Sequence, residues 1–198
     1  MLQVFHESIR DARNLRLLYT HCVLDLKLPG DYSDLLRMDI VYCMSALDKL
    51  IHDIVNFEMV EVYAGRRNPT QKYLSEPISL MNHAMLSTME TPSQITFDGI
   101  VRLKLKHQSF LDPAKLVDAL GLVWQVQDKW LAISNAMQRD RKDVMTELKS
   151  IFQRRNSIVH EADKDPISNN KYPISVADTM RVEEFIETLG DTVHNLVR

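Results

Sequence analysis

Arg154-Arg155-Asn156-Ser157-Ile158-Val159-His160 is the segment of this chain best equipped for chemistry. A guanidinium clamps a phosphate, and an imidazole moves a proton near neutral pH. Those two groups suffice to cut RNA without a metal. A base takes the 2′-hydroxyl proton, the oxygen attacks the adjacent phosphorus, and the 5′-oxygen leaves. The ends formed are a 2′,3′-cyclic phosphate and a 5′-hydroxyl. In such a scheme His160 carries the proton and Arg155 stabilises charge developing on the phosphoryl oxygens. Asn156 holds the imidazole or donates to the phosphate, and Arg154 contacts the RNA backbone or is simply solvated. Spacing alone does not single out the pair, because Arg16/His21 and Arg102/His107 repeat it.

The element that positions these groups reads as a helix from Arg141 to His160. At about 100° per residue, Val144, Leu148, Ile151, Phe152, Ile158 and Val159 form one apolar stripe. Arg155 falls near the middle of that stripe and Arg154 falls outside it. A buried cation needs a carboxylate, a phosphate or a subunit contact. Asp48, on the apolar edge of an earlier helix, is the carboxylate expected to pair with Arg155. The bridge would be structural, catalytic or both. Asn156 and His160, four apart, share the edge of the stripe.

The rest of the chain reads as one all-α domain over residues 1–198. Only five Gly and seven Pro interrupt a composition rich in Leu, Met, Ala, Lys and Glu. Residues 2–27 form a first helix, with Leu15, Leu18, Cys22 and Leu26 at helical spacing. A second runs from Asp31 or Ser33 to about Tyr63, its core face carrying Leu36, Ile40, Met44, Leu47, Ile51, Ile54 and Val55. Gly65 to Pro69 breaks it. The middle is less regular, with a Met-rich helix over 78–89, a break at Thr91-Pro92-Ser93, and a helix capped by Thr96 running to Gln108. Asp112-Pro113 starts a helix to about Gly121. Val123 to Met137 continue in helical style, with Trp124 and Trp130 read as core or interface anchors. Ser175 and Asp178 open the last helix by a capping box.

Net charge is −3, so any contact with RNA comes from a local patch. The segment from Arg139 to Arg155 holds six basic and three acidic residues, and Arg102, Lys104, Lys106 and His107 form a smaller cluster. Cys22 and Cys43 read as a reduced, buried pair in a cytoplasmic protein. The seven histidines show no zinc-site spacing, no cofactor motif is present, and the first residues do not read as a secretory signal. No apolar run approaches about 18 residues, so no membrane span is expected.

Two stretches carry a specific resemblance. Arg155-Asn156-Ser157-Ile158-Val159-His160, followed by Glu161-Ala162-Asp163, is similar to the Arg-Asn-x-x-x-His signature of HEPN domains (higher eukaryotes and prokaryotes nucleotide-binding). Met38 through Asp53, with its Ser45-Ala46-Leu47-Asp48 element, resembles that family's early long helix. Gln108 through Leu120 looks like its central connection. The likeness covers residues 10–197 and is strongest to the RiboL-PSP branch. It implies a helical bundle forming a two-fold dimer in which each protomer brings its Arg and His to a shared cleft. It also implies a metal-independent endoribonuclease of a defence, toxin or RNA-processing system, with RNA and an inhibitor or antitoxin protein as partners. Other members have lost catalysis and bind RNA, a nucleotide or a protein. An interaction protein using exposed helix faces is a third reading, which the Met81 to Met89 stretch would suit. One departure is Ala162, where the branch paired with nucleotidyltransferases has a tyrosine, so regulation through that tyrosine does not carry over.

Overall fold

A computed structural model describes residues 1–87 and 94–198. Among the described residues the chain is helical with no β-strand: α1 Leu2–Thr20, α2 Asp34–Tyr63, α3 Gln71–Leu74, α4 Leu80–Ser87, α5 Gln94–Leu105, α6 Pro113–Leu120, α7 Lys129–Ala136, α8 Arg141–Glu161 and α9 Val176–Val197. The expected all-α bundle is the observed fold. Its axis is α2, against which α1, α5, α6, α8 and α9 pack. All seven α2 residues expected to face the core are buried. Gly65, at φ +72°, follows the α2 C-terminus in the left-handed conformation that ends helices.

Local signals place the starts of the later helices. Asp112 caps α6 by accepting from Ala114 N at 2.9 Å, with Pro113 at the first position. Asp140 caps α8 through Lys142 N at 2.7 Å. Ser175 and Asp178 make the anticipated capping box at α9.

The structure differs from the sequence expectations in several elements. The first helix ends at Thr20 and passes into a π-turn over His21–Asp25. Its buried face is Phe5, Ile9 and Ala12, while Leu18 and Leu26 are exposed and Leu15 and Cys22 only partly covered, so the two cysteines are not a buried pair. Thr96 lies inside α5 and does not cap it. Only Lys129–Ala136 of the 123–137 stretch is α-helical, because Leu122, Val123 and Trp124 are all buried and three consecutive side chains cannot share one face of a helix. The Met-rich helix spans Leu80–Ser87; Met89 and Thr91-Pro92-Ser93 lie outside the described residues. Both tryptophans are buried, as core anchors should be.

α1, α2 and α9 are joined by a buried ionic cluster. Arg16 donates to both oxygens of Glu183, Nε–Oε1 2.6 Å and Nη2–Oε2 3.1 Å. Arg13 donates to Glu183 at 3.2 Å and also to Glu187. Asp39, fully buried, neighbours Glu183 and accepts from Cys43 Sγ at 3.4 Å. Burial, and then the neighbouring Glu183, push the Asp39 carboxyl up to about 8. Burial opposes ionisation of Glu183 as well, but its hydrogen bonds from Arg16, Asp39 and Arg13 hold it below the usual range. Asp39 is therefore the protonated partner at neutral pH and Glu183 the charged one.

Two stability predictions follow from the packing. Folded Asp39 keeps its proton up to about pH 8, whereas the unfolded carboxyl loses it near 3.8. Its contribution is fully present below that lower value and is lost as pH rises through the folded one. Asp39→Asn, which retains a donor to Glu183, should flatten this decline, read as urea midpoints across pH 5–9. Gly190 sits where α9 meets α1 and α2: a Cβ there would lie 2.4 Å from Phe5 Cζ and 3.1 Å from Leu50 Cδ2. Gly190→Ala should destabilise by about 1–3 kcal/mol despite alanine's better helix propensity. The same urea titration reads it.

Candidate active site

Asp48 and His52, one turn apart on α2, fasten the segment between α5 and α6. Asp48 Oδ1 accepts from Phe110 N at 2.7 Å, and His52 Nε2 meets Gln108 O at 3.1 Å. Phe110 is buried, with its ring 4.4 Å from the His52 ring, centroid to centroid. This clamp shapes one wall of a cleft of about 300 Å³ lined by Ser45, Asp48, Lys49, His52, Lys106, Leu111 and Arg155. The other wall is α8.

Arg155 is half-buried there, and its Nε is buried without a hydrogen-bond partner. Its one hydrogen bond runs from Nη1 to Asn156 Oδ1 at 3.2 Å. The expected Arg155–Asp48 bridge is not formed: Asp48 lines the same cleft but is held by the backbone of Phe110. Asn156 braces Arg155 and makes no hydrogen bond to His160. No carboxylate among the described residues pairs with Arg155. The two other Arg/His pairs of equal spacing differ on this point. Arg16 is held by Glu183, and Arg102 Nε by Asp98 at 2.7 Å.

Arg154 occupies a different position from the solvated outer face expected of it. Its Nη2 donates to Asp163 Oδ2 at 2.7 Å and to Pro173 O at 3.1 Å, and its guanidinium lies over the Tyr172 ring. Arg37 Nε reaches the same Asp163 oxygen at 2.7 Å and its Nη2 reaches Tyr172 O at 2.6 Å. Asp163 has no solvent exposure at all. The chain brings it there through two successive left-handed residues, Ala162 at φ +53° and Asp163 at φ +55°. Arg154 thus belongs to a structural triad with Asp163 and Arg37. Sequence reading missed both Arg37 and Asp163. The signal open to it was a charged residue, Arg37, inside the buried run of α2.

His160 is exposed on the last turn of α8. Five residues past Arg155, it lies about 140° around the helix. It is accordingly not among the residues lining the Arg155 cleft. Val159, one turn beyond Arg155, and Tyr42, one turn before Ser45, are exposed apolar side chains on the faces that carry the cleft.

A family model described as RiboL-PSP-HEPN matches residues 7–198. The chain belongs to the RiboL-PSP-HEPN family. HEPN domains are often ribonucleases, so membership supports an RNA-related role. No curated protein and no solved structure matches the chain. Among the described residues of this HEPN chain, no group of His, Cys, Asp and Glu has the arrangement of a metal site, and no helix is long and apolar enough to cross a membrane.

The triad at the end of α8 yields a prediction. Asp163→Ala leaves buried Arg37 with only the exposed carboxylate of Asp34, at 3.5 Å, and should cost about 3–5 kcal/mol, the usual penalty for breaking a buried ion pair from one side. Arg154→Ala, which removes the partly exposed partner, should cost clearly less. Chemical denaturation of both variants checks the order.

Proposed function

We propose that this chain is a metal-independent endoribonuclease acting as a two-fold dimer, leaving 2′,3′-cyclic phosphate and 5′-hydroxyl ends. The observation that carries the reading is the half-buried Arg155 guanidinium in a cleft, with no carboxylate among the described residues to neutralise it. A desolvated cation of this kind favours an anionic ligand, and Arg is suited to phosphate. Arg155 stabilises the phosphorane-like charge, Asn156 keeps its guanidinium oriented, and His160 transfers the proton. Asp48 acts at one remove by fixing the cleft wall through Phe110.

His160 lies around the helix from the Arg155 cleft of its own protomer. A second copy related by a two-fold axis supplies the missing imidazole and covers Tyr42 and Val159. A toxin or defence setting, with an inhibitory partner protein in the cytoplasm, fits the family. The separation of His160 from the cleft also favours a second reading, a non-catalytic HEPN module that binds RNA through Arg155 alone.

Purified protein incubated with total RNA and a chelator separates the two. Wild type should cleave, and Arg155→Ala and His160→Ala should each lose about 10²–10⁴-fold in rate. An equimolar mixture of the two variants should recover part of the activity, because a mixed dimer rebuilds one shared cleft. RNA left equally intact by wild type and variants defeats the nuclease reading. A strictly monomeric mass by light scattering for an active enzyme defeats the shared cleft.

A further inference from the structure

The basic run at the start of α8 has no part in the chemistry above, yet it borders a larger cavity. Between α6 and α8 lies a groove of about 660 Å³. Its apolar surface comes from Pro113, Val117, Trp130 and Met145, and its rim from Arg141, Lys142 and Lys149. Trp130 is buried, its indole N–H satisfied by Pro113 O at 3.2 Å, so the ring is a rigid base for the groove. Two carboxylates also line it, but both serve as helix caps: Asp112 at α6 and Asp140 at α8. Arg141 is paired with Asp128 at 2.6 Å. Lys142 and Lys149 are exposed and, among the described residues, form no ion pair.

The register of α8 connects this groove to the candidate active site. At about 100° per residue, Lys142, Lys149 and Asn156 fall within about 40° of one another, and His160 returns to the angle of Lys142. From Lys142 to Asn156 the line is roughly 21 Å long at a rise of about 1.5 Å per residue. On the facing side, Leu111 lines the Arg155 cleft and its neighbour Asp112 lines the groove. The two cavities thus adjoin at Leu111–Asp112, while on α8 the lysine line leads to Asn156 and His160, about 100–140° around the helix from Arg155.

We propose that this groove binds the single-stranded RNA flanking the scissile phosphate, with Lys142 and Lys149 on its phosphates and the Trp130–Met145 floor beneath a base. The inference rests on the nuclease reading for the strand's direction but not for its binding. An apolar floor with a cationic rim is the composition that sequence-tolerant single-strand sites use. The chain is weakly acidic overall, so affinity for a strand must come from local groups such as these.

The test uses the full chain and a short fluorescein-labelled 2′-O-methyl RNA, which lacks the attacking hydroxyl and cannot be cleaved by this route. Fluorescence anisotropy across a salt series should show Lys142→Glu/Lys149→Glu binding roughly tenfold or more weaker than wild type. The slope of log affinity against log salt should be shallower by about 1.4, at about 0.7 per lost phosphate contact. Melting monitored by circular dichroism should be unchanged, because neither lysine has a partner in the fold. Lys142→Gln/Lys149→Gln should fall between wild type and the charge reversal. Unchanged affinity and slope in the double variant overturn the proposal, as does a wild type that does not bind the probe. Equal competition by polyglutamate would reassign the groove to an acidic protein and overturn it too. Because the probe cannot be cut, a chain that binds it through the groove yet leaves natural RNA intact keeps this inference while the nuclease reading fails.

Discussion

Removing a guanidinium from water is costly, and the arginines of this bundle show how that cost is met. Arg16 and Arg13 share Glu183 between α1 and α9. Arg67 donates to the buried Glu58 and to Val197 O, tying the end of α2 to the end of α9. Arg37 and Arg154 share Asp163. Each of these cations has a carboxylate placed for it by a different element. Arg155 has the neutral amide of its own neighbour. Among the described residues Arg155 thus lacks the carboxylate these arginines have, and the proposed anion site rests on that difference.

The cleft around Arg155 is built by hydrogen bonds to backbone more than by side-chain packing. Asp48 and His52 hold the segment at Gln108 and Phe110, and that segment presents Lys106 and Leu111 to the cleft. On the opposite wall, the last turns of α8 rise out of the core. Val144, Leu148 and Ile151 are buried, Phe152 and Ile158 only partly, and Val159 is exposed. The same helix is therefore anchored at its N-terminal half and presented at its C-terminal half. His160 is carried on the presented half, just before the Ala162–Asp163 reversal.

Periodicity made much of this legible. The α2 core face could be read residue by residue because one stripe dominates it and every member is buried. On α1 two stripes compete. The leucine-rich one is the more conspicuous in sequence, but Phe5 and Ile9 are those that meet α2 and α9, and a pattern does not say where neighbours stand. The apolar setting of Arg155 could be inferred from its angle on α8. The role of Arg154 could not, since it depends on a carboxylate nine residues away that returns only through two left-handed backbone conformations. Nor could the pairing of Asp48 with a main-chain N–H, because amide partners across a fold leave no trace in side-chain spacing.

Two successive left-handed residues, Ala162 and Asp163, follow α8. Neither is glycine, and each such conformation carries a steric cost that the surroundings must offset. Here the offset is ionic and lies outside the hydrophobic interior, with Asp163 seated between Arg37 and Arg154. The interior and the C-terminal end of α8 consequently rest on different kinds of force. Repacking the bundle with other aliphatic side chains would leave the reversal intact. Moving the end of α8 onto another helical scaffold in this geometry would require carrying over a loop, its aspartate and two arginines, as well as the short helical signature itself.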